Sequence, residues 1–371
     1  MPFLLARIQC RPTLRVIRAL HSASSSGRNP FEILFMGGDE FSAGVFEQLV
    51  AAKDVYNSIL VASYTPAHVH ARYKKLKSSV PPLVALTNTH NVPTLQPPAP
   101  FISPDPETHR NHLLVTASFG RILPKPFLEL FPSGQRLNVH PSSLPAYRGP
   151  APLQRTLMNA EKTTGVCVIE TLPYKMGIDA GPVWGRVDCD VPRESTFETL
   201  RDHLACEGGQ LLVSVLREML RGTAIARPQN DASGLLHAPF ITADDANINF
   251  HELKAEDIVR HHRAISHMRP LFTHVHDKAL QLLDVSVYDP TPTDPNSHSH
   301  SQVQPGLARY DPHTRSILVA CAGGSVLSLS KVKQQDRNAI SAKEWWNGVR
   351  GEWKDAEGAV LFRRVAEGAD E

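Results

Sequence analysis

Apolar and polar positions follow a regular order over the first part of the chain. Glu32-Ile33-Leu34-Phe35-Met36 is a short apolar run that ends at Gly37-Gly38, the form of a buried strand closed by a turn. Asp39-Glu40 then open a segment in which Phe41, Val45, Phe46, Leu49 and Val50 recur at helical spacing. Residues 58–63 predict a second strand, 84–89 part of a helix, and 113–117 a further buried strand. Strands that alternate with helices at this spacing predict an α/β fold built on a Rossmann-like, doubly wound, mostly parallel sheet. The G-x-G-x-x-G dinucleotide fingerprint does not follow the first strand.

Farther along, helical patterning runs from 196 to 221, through Phe197, Leu200, Leu204, Leu211, Leu212, Val215, Leu216, Met219 and Leu220. The stretch 222–239 turns polar and irregular, with Pro228, Gly234 and Pro239, and reads as a connection between domains. A helix-like segment at 253–265 precedes apolar alternations at 279–287 and 316–320. Gly323-Gly324 separates the latter from 325–329, which predicts a hairpin within a small, OB-like C-terminal β-barrel. Residues 289–304, rich in Pro, Ser, Thr and His, predict a surface excursion from that barrel.

Composition sharpens this outline. A chain of 371 residues is longer than a single core normally supports, so two domains are expected. No apolar stretch approaches the roughly 18 residues of a membrane-spanning helix, and no membrane partner is expected. The net charge is +2, from 39 basic and 37 acidic residues, but its distribution is uneven. Residues 1–31 carry Arg7, Arg11, Arg15, Arg18 and Arg28, no acid, interspersed leucines and isoleucines, and a run of serines. That is the composition of a mitochondrial targeting segment, and its arginines interrupt any secretory apolar core. Without those five arginines, 34 basic residues face 37 acidic ones, so the slight basicity of the whole belongs to the address.

Five cysteines are scattered without C-x-x-C pairs or nearby histidines at ligand spacing, so neither a disulfide framework nor a zinc site is expected. Between Asp54 and Asp105 there is no acid, while Arg72, Lys74, Lys75 and Lys77 cluster around Tyr73. Cations beside an aromatic ring suit RNA phosphates and bases, and equally suit a solvated loop. Residues 236–371 hold 15 basic and 18 acidic residues, but Arg315, Lys331, Lys333, Arg337, Lys343 and Arg350 form a local excess facing only Asp336 and Glu344.

The segment 137–185 carries the chemistry. Asn138 and His140 are two residues apart in Leu137-Asn138-Val139-His140, hence on one face of a strand. Pro141-Ser142-Ser143-Leu144-Pro145 stiffens the loop that follows, and Arg148-Gly149-Pro150-Ala151-Pro152 leads into a helix. Gly177-Ile178-Asp179-Ala180-Gly181 fixes one carboxylate between two glycines. Alone, Asn138 can cap a turn, His140 can be a satisfied core histidine and Asp179 can shape an Asx turn. Together, an amide, an imidazole and a carboxylate on constrained backbone can perform acyl transfer without a covalent intermediate. Asn138 can donate to a developing oxyanion, an effect worth about 3 kcal/mol in such sites. His140 can donate or shuttle a proton, and Asp179 can hold the imidazole and accept the proton lost by an attacking amine. No G-x-S-x-G elbow supports a serine route.

The run from Asn138 through Pro145, followed by Tyr147-Arg148-Gly149 and by Gly177 to Gly181, resembles the folate-dependent formyltransferases, in particular their methionyl-tRNA branch. The likeness extends over about 32–351, including Ser118-Phe119-Gly120-Arg121-Ile122-Leu123-Pro124 and Ala151-Pro152-Leu153-Gln154. It implies 10-formyltetrahydrofolate as co-substrate, no metal, and the α-amino group of methionine on initiator tRNA as acceptor. With the targeting segment, it points to a mitochondrial enzyme for translation initiation; a monomer is expected, and no stable protein partner is implied. Asn138, His140 and Asp179 match the family's catalytic residues; Ser142, Ser143, Leu144 and Pro145 match its folate loop. Arg72, Lys74, Lys75 and Lys77 keep the charge of the loop that meets tRNA but not its glycine-rich pattern. Pro141 stands where a glycine is common, and Ser143 replaces the motif's first leucine.

The expected organisation is therefore a targeting segment at 1–30, a formyltransferase domain at 31–226, a connection at 227–238, and a barrel domain at 239–371. Two other readings compete: a formyltransferase for a small amine, such as a purine precursor or amino sugar, and an inactive tRNA-binding relative. The large second domain and basic loop argue against the first, and the intact Asn138, His140 and Asp179 against the second.

Overall fold

The computed structural model describes residues 29–63, 80–95, 111–230, 236–289 and 303–365. The basic cluster Arg72–Lys77, the arginines up to Arg28 and most of the 289–304 excursion lie outside the described residues. The chain forms two compact units, neither continuous in sequence. One takes described residues up to Arg148, then Gly165–Cys189, then Arg201 onward to residue 230; the other takes Gly149–Thr164, Asp190–Leu200 and the described residues from Leu236.

The first unit is built on a seven-stranded sheet of β1 (Phe31–Met36), β2 (Tyr56–Ala62), β3 (Thr94–Leu95), β4 (His112–Ala117), β5 (Arg136–His140), β6 (Thr163–Glu170) and β7 (Val183–Asp190), in the order β3-β2-β1-β4-β5-β6-β7. Pairings from β3 to β5 are parallel, and β5 pairs antiparallel with β6. Phe31, Phe35, Leu113, Leu114 and Leu137 are fully buried, as a sheet covered on both faces requires. Each such side chain contributes about 1.5–3 kcal/mol by leaving water.

Two long helices bear on this sheet. Asp39 caps α1 (Glu40–Ala51) by accepting from the Ser42 N–H at 2.9 Å, which explains why the helix starts there. Its Phe41, Val45, Phe46 and Leu49 are buried, and the Phe46 ring lies 5.4 Å from that of Phe35. The predicted helix α5 (Phe197–Arg221) carries Gly208, where a Cβ would fall 2.8 Å from Val139 and 2.9 Å from Val166. The helix therefore lies directly behind the strand that holds Asn138 and His140. Along the chain between these come the short helices α2 (Pro82–His90) and α3 (Lys125–Leu128) of this unit, and α4 (Pro152–Met158), which belongs to the second.

In the second unit, six antiparallel strands close a barrel: β8 (Leu271–Val275), β9 (Lys278–Val287), β10 (Leu307–Asp311), β11 (Ser316–Ala320), β12 (Val326–Gln334) and, after the short β13 (Ile340–Ser341) on its rim, β14 (Val360–Arg363). The order is β11-β10-β14-β8-β9-β12, and the antiparallel pairing of β11 with β12 completes the ring. Helices α6 (Ala243–Ala246), α7 (Ala255–Ile265) and α8 (Ala342–Asn347) accompany it. Arg155 of α4 grips the Asp245 carboxylate of α6 with two bonds of 2.5 and 2.9 Å. Among the described residues no helix is long and apolar enough to cross a membrane, and no group of three or more His, Cys, Asp or Glu is placed to hold a metal ion.

His261 of α7 has a buried Nδ1 without a partner. Burial, aided by the Arg260 charge, pushes its pKa down to about 4. The unfolded chain takes that proton near the ordinary 6.5 while the folded one resists it, so stability is lost as pH falls from 6.5 towards 4, by up to about 3 kcal/mol. His261→Leu is expected to flatten this part of the stability profile in urea titrations at several pH values; slopes equal to wild type would contradict the assignment.

Candidate active site

The register of the sheet builds the site. Met36, Thr116 and Asn138 form one row across β1, β4 and β5. Strand order reverses between β1 and β4, and in open α/β sheets the crevice beyond the strand ends at such a reversal is where ligands sit. Asn138 and His140 occupy the last turn of this edge, at the C-terminal end of β5.

Asn138 is half-buried, and its Oδ1 accepts from the buried Thr116 hydroxyl at 2.8 Å. With the oxygen engaged, the Nδ2 protons are the donors left for a ligand. The partner network thus sets which way the amide points.

His140 is buried. Its Nε2 lies 2.9 Å from the Tyr147 carbonyl. A carbonyl only accepts, so Nε2 carries a proton and donates, which leaves Nδ1 as the nitrogen that can exchange one. Nδ1 lies 3.6 Å from Asp179 Oδ2, too far for a direct bond but close enough to pair electrostatically when the ring is charged.

The loop after β5 delivers that carbonyl. Ser142 is fully buried and donates to the Ala146 carbonyl at 2.8 Å. Leu144 points into a cluster with Cys167, Ile169 and Val183, and Tyr147 takes a left-handed φ of 61°, which aims its carbonyl back at the imidazole. Ser143 faces outward and donates to Asp188 Oδ1 at 2.6 Å. Arg186 binds the same carboxylate at 2.8 Å and the Leu144 carbonyl at 3.1 Å. Burial would raise the Asp188 carboxyl, but the bonds from Ser143 and Arg186 outweigh it and hold it below the usual range. The serine in the place of a leucine is thereby tied into a polar brace. Pro145 is half-buried. Beneath the loop, burial pushes the Cys167 thiol up to about 11, so it stays protonated and takes no part as a nucleophile.

Asp179 sits on a loop under tight backbone constraint. Its own φ is 51° and that of Gly177 is 103°; aspartate tolerates the left-handed region better than most side chains. A Cβ on Gly181 would lie 1.8 Å from the Glu170 carbonyl oxygen, so only glycine lets the loop press against β6. Glu170 N–H bonds Pro182 O at 2.9 Å, and its carboxylate accepts from Ser133, Gly134 and Arg136 at 3.1 Å each. Tyr174, Met176 and Ile178, just before Asp179, are exposed and give this loop an apolar outer face.

The structure therefore brings Asn138, His140 and Asp179 together on β5 and the 177–181 loop, with the 142–145 loop beside them. It describes nothing of Arg72, Lys74, Lys75 and Lys77. Thr116 was not singled out by sequence reasoning: a threonine in an apolar strand reads as ordinary β-sheet filler, and only the β4–β5 register gives it a partner. A cleft of about 790 Å³ in the second unit, lined by Asp244, Phe250, His251, Arg363 and others, holds none of these residues.

Comparison with known families agrees with the fold. A model of the formyl transferase family matches residues 33–216, and a model of the formyl transferase C-terminal domain matches 240–350. The chain belongs to the formyltransferase family. Its relatives include the mitochondrial methionyl-tRNA formyltransferase of Mus musculus, 29% identical over 87% of this chain and 80% of its own length, and the methionyl-tRNA formyltransferase of Streptococcus agalactiae, 30% identical over 86% of this chain and 96% of its own. Among solved structures, WlaRD, a sugar 3N-formyltransferase crystallised with dTDP and 5-N-formyl-THF, shares the fold with a TM-score of 0.56 and 14% identity, over 84% of this chain and 100% of its own.

Proposed function

We propose that this protein transfers the formyl group of 10-formyltetrahydrofolate to the α-amino group of methionine on initiator tRNA, and that it does so in mitochondria as a monomer. The observation that carries the reading is the trio itself: Asn138 with its oxygen held by Thr116 so that Nδ2 is left to donate, and His140 with its Nδ1 3.6 Å from Asp179. The names of the curated relatives support methionyl-tRNA as acceptor. The acid-free, arginine-rich residues 1–31 support the mitochondrial address.

The folate supplies an activated formyl carbon on nitrogen. In this reading the neutral amine attacks that carbon, a nitrogen–carbon bond forms to methionine, the bond to the folate nitrogen breaks, and one proton passes from the amine to the departing nitrogen. Asn138 Nδ2 donates to the formyl oxygen as charge develops there. His140 donates from Nδ1 when protonated, while the Tyr147 carbonyl keeps the ring from turning. Asp179 stabilises the charged ring and takes the amine proton, directly or through one water. The exposed apolar residues Tyr174, Met176 and Ile178 suit an aromatic co-substrate at the rim. Any contact of Arg72, Lys74, Lys75 and Lys77 with RNA belongs to this proposal.

Purified protein with 10-formyltetrahydrofolate is expected to formylate initiator methionyl-tRNA and not a small amine such as an amino sugar. Asp179→Asn is expected to lower kcat by at least about 100-fold with little change in Tm. Turnover of only the small amine would replace the acceptor assignment, and near-normal turnover by Asp179→Asn would remove the role given to that carboxylate. For the address, residues 1–35 fused to a fluorescent reporter are expected to carry it into mitochondria; a cytosolic reporter would refute the localisation.

A further inference from the structure

We infer that Gln229 is a positioning residue of this site, holding in place the two groups that flank the His140 ring. The inference rests on the formyl-transfer reading and extends it to a residue of the stretch that reads as a mere connection.

The Gln229 amide is used in full. Its Nε2 donates to the Asp179 carbonyl at 2.7 Å and to the Gly181 carbonyl at 2.8 Å. Its Oε1 accepts from Arg148 Nε at 2.9 Å and Arg148 Nη2 at 2.6 Å. Two donors and two lone pairs are thus all engaged. Exchanging nitrogen and oxygen would set donors against the guanidinium and an oxygen against two carbonyls, so the network fixes the orientation.

What those bonds join matters more than their number. Asp179 faces His140 Nδ1, and its backbone is held by Gln229 Nε2. Tyr147, whose carbonyl receives His140 Nε2, is the neighbour of Arg148, which is held by Gln229 Oε1. Both Tyr147 and Asp179 have left-handed backbones, with φ of 61° and 51°, a conformation that persists where surrounding contacts over-determine it. One side chain bonds both loops, through the backbone at Asp179 and Gly181 and through the Arg148 guanidinium beside Tyr147. The chain that brings Gln229 is itself anchored, since Arg227 and Val183 exchange backbone bonds of 2.9 and 2.7 Å, which docks this segment beside the first residue of β7.

Gln229→Glu keeps shape and the Arg148 contact but turns an oxygen towards the two carbonyls; Gln229→Leu, similar in volume, serves if that variant does not fold. With the full chain and initiator methionyl-tRNA, either variant is expected to lower kcat by about 10- to 100-fold and to change KM for both substrates by less than about 3-fold. In an Asp179→Asn background Gln229→Glu, which keeps the Arg148 contact, is expected to cost less than about 2-fold more, because that change acts through the Asp179 loop. Hydrogen exchange of amides 177–181 is expected to speed up at least about 10-fold, whether or not the protein is active. Unchanged kcat in an active protein, or a full additive loss in the double variant, would overturn the inference and leave the proposed function standing. If wild type fails to formylate methionyl-tRNA, that function falls, and unchanged exchange at 177–181 would then overturn the role of Gln229 as well.

Discussion

The hydrogen bond from His140 Nε2 to the Tyr147 carbonyl is the contact on which the site depends. A buried imidazole has two nitrogens and needs a partner for each to be useful. With Nε2 occupied by a backbone acceptor, Nδ1 is the nitrogen that faces Asp179 and that the proposed reaction would use. A rotated ring would bring Nδ1 against a carbonyl and lose the carboxylate. The left-handed turn at Tyr147 and the buried Ser142 hydroxyl on the Ala146 carbonyl shape the loop that presents that carbonyl, and the side chain of the next residue, Arg148, is bonded by Gln229.

Behind this bond stands the sheet. The β4–β5 register gives Asn138 its Thr116 partner, and the antiparallel β6 sets Cys167 beside His140 across the edge. Glycines allow the layers to approach: Gly208 presses α5 on Val139 and Val166, and Gly181 presses the Asp179 loop on Glu170. A loop so constrained loses little freedom when substrate binds, which is how preorganised donors lower a barrier without moving.

Much of this was legible in the residues. The two-residue spacing of Asn138 and His140 is the period of a strand, and a carboxylate between Gly177 and Gly181 signals a backbone that other residues cannot follow. Alternating strands and helices gave the parallel sheet, and the Gly323-Gly324 break marked the β11–β12 hairpin, which indeed pairs antiparallel. Contacts between distant segments were not legible. Thr116 with Asn138, Ser143 with Asp188, and Gln229 with Asp179 are separated by 22, 45 and 50 residues, and each is created by register and loop docking that no local pattern records. Gln229 was hardest to see, because proline and polar residues around it are the usual signs of a passive connection.

The tautomer of His140 tests the account most directly. Nitrogen-15 NMR of histidine-labelled protein, with His140→Gln used to identify the signals, distinguishes a protonated from a bare ring nitrogen. In the neutral ring a proton on Nε2 and a bare, pyridine-like Nδ1 are expected. A neutral ring protonated at Nδ1 with Nε2 bare would contradict this, because Nε2 could then make no bond to the Tyr147 carbonyl.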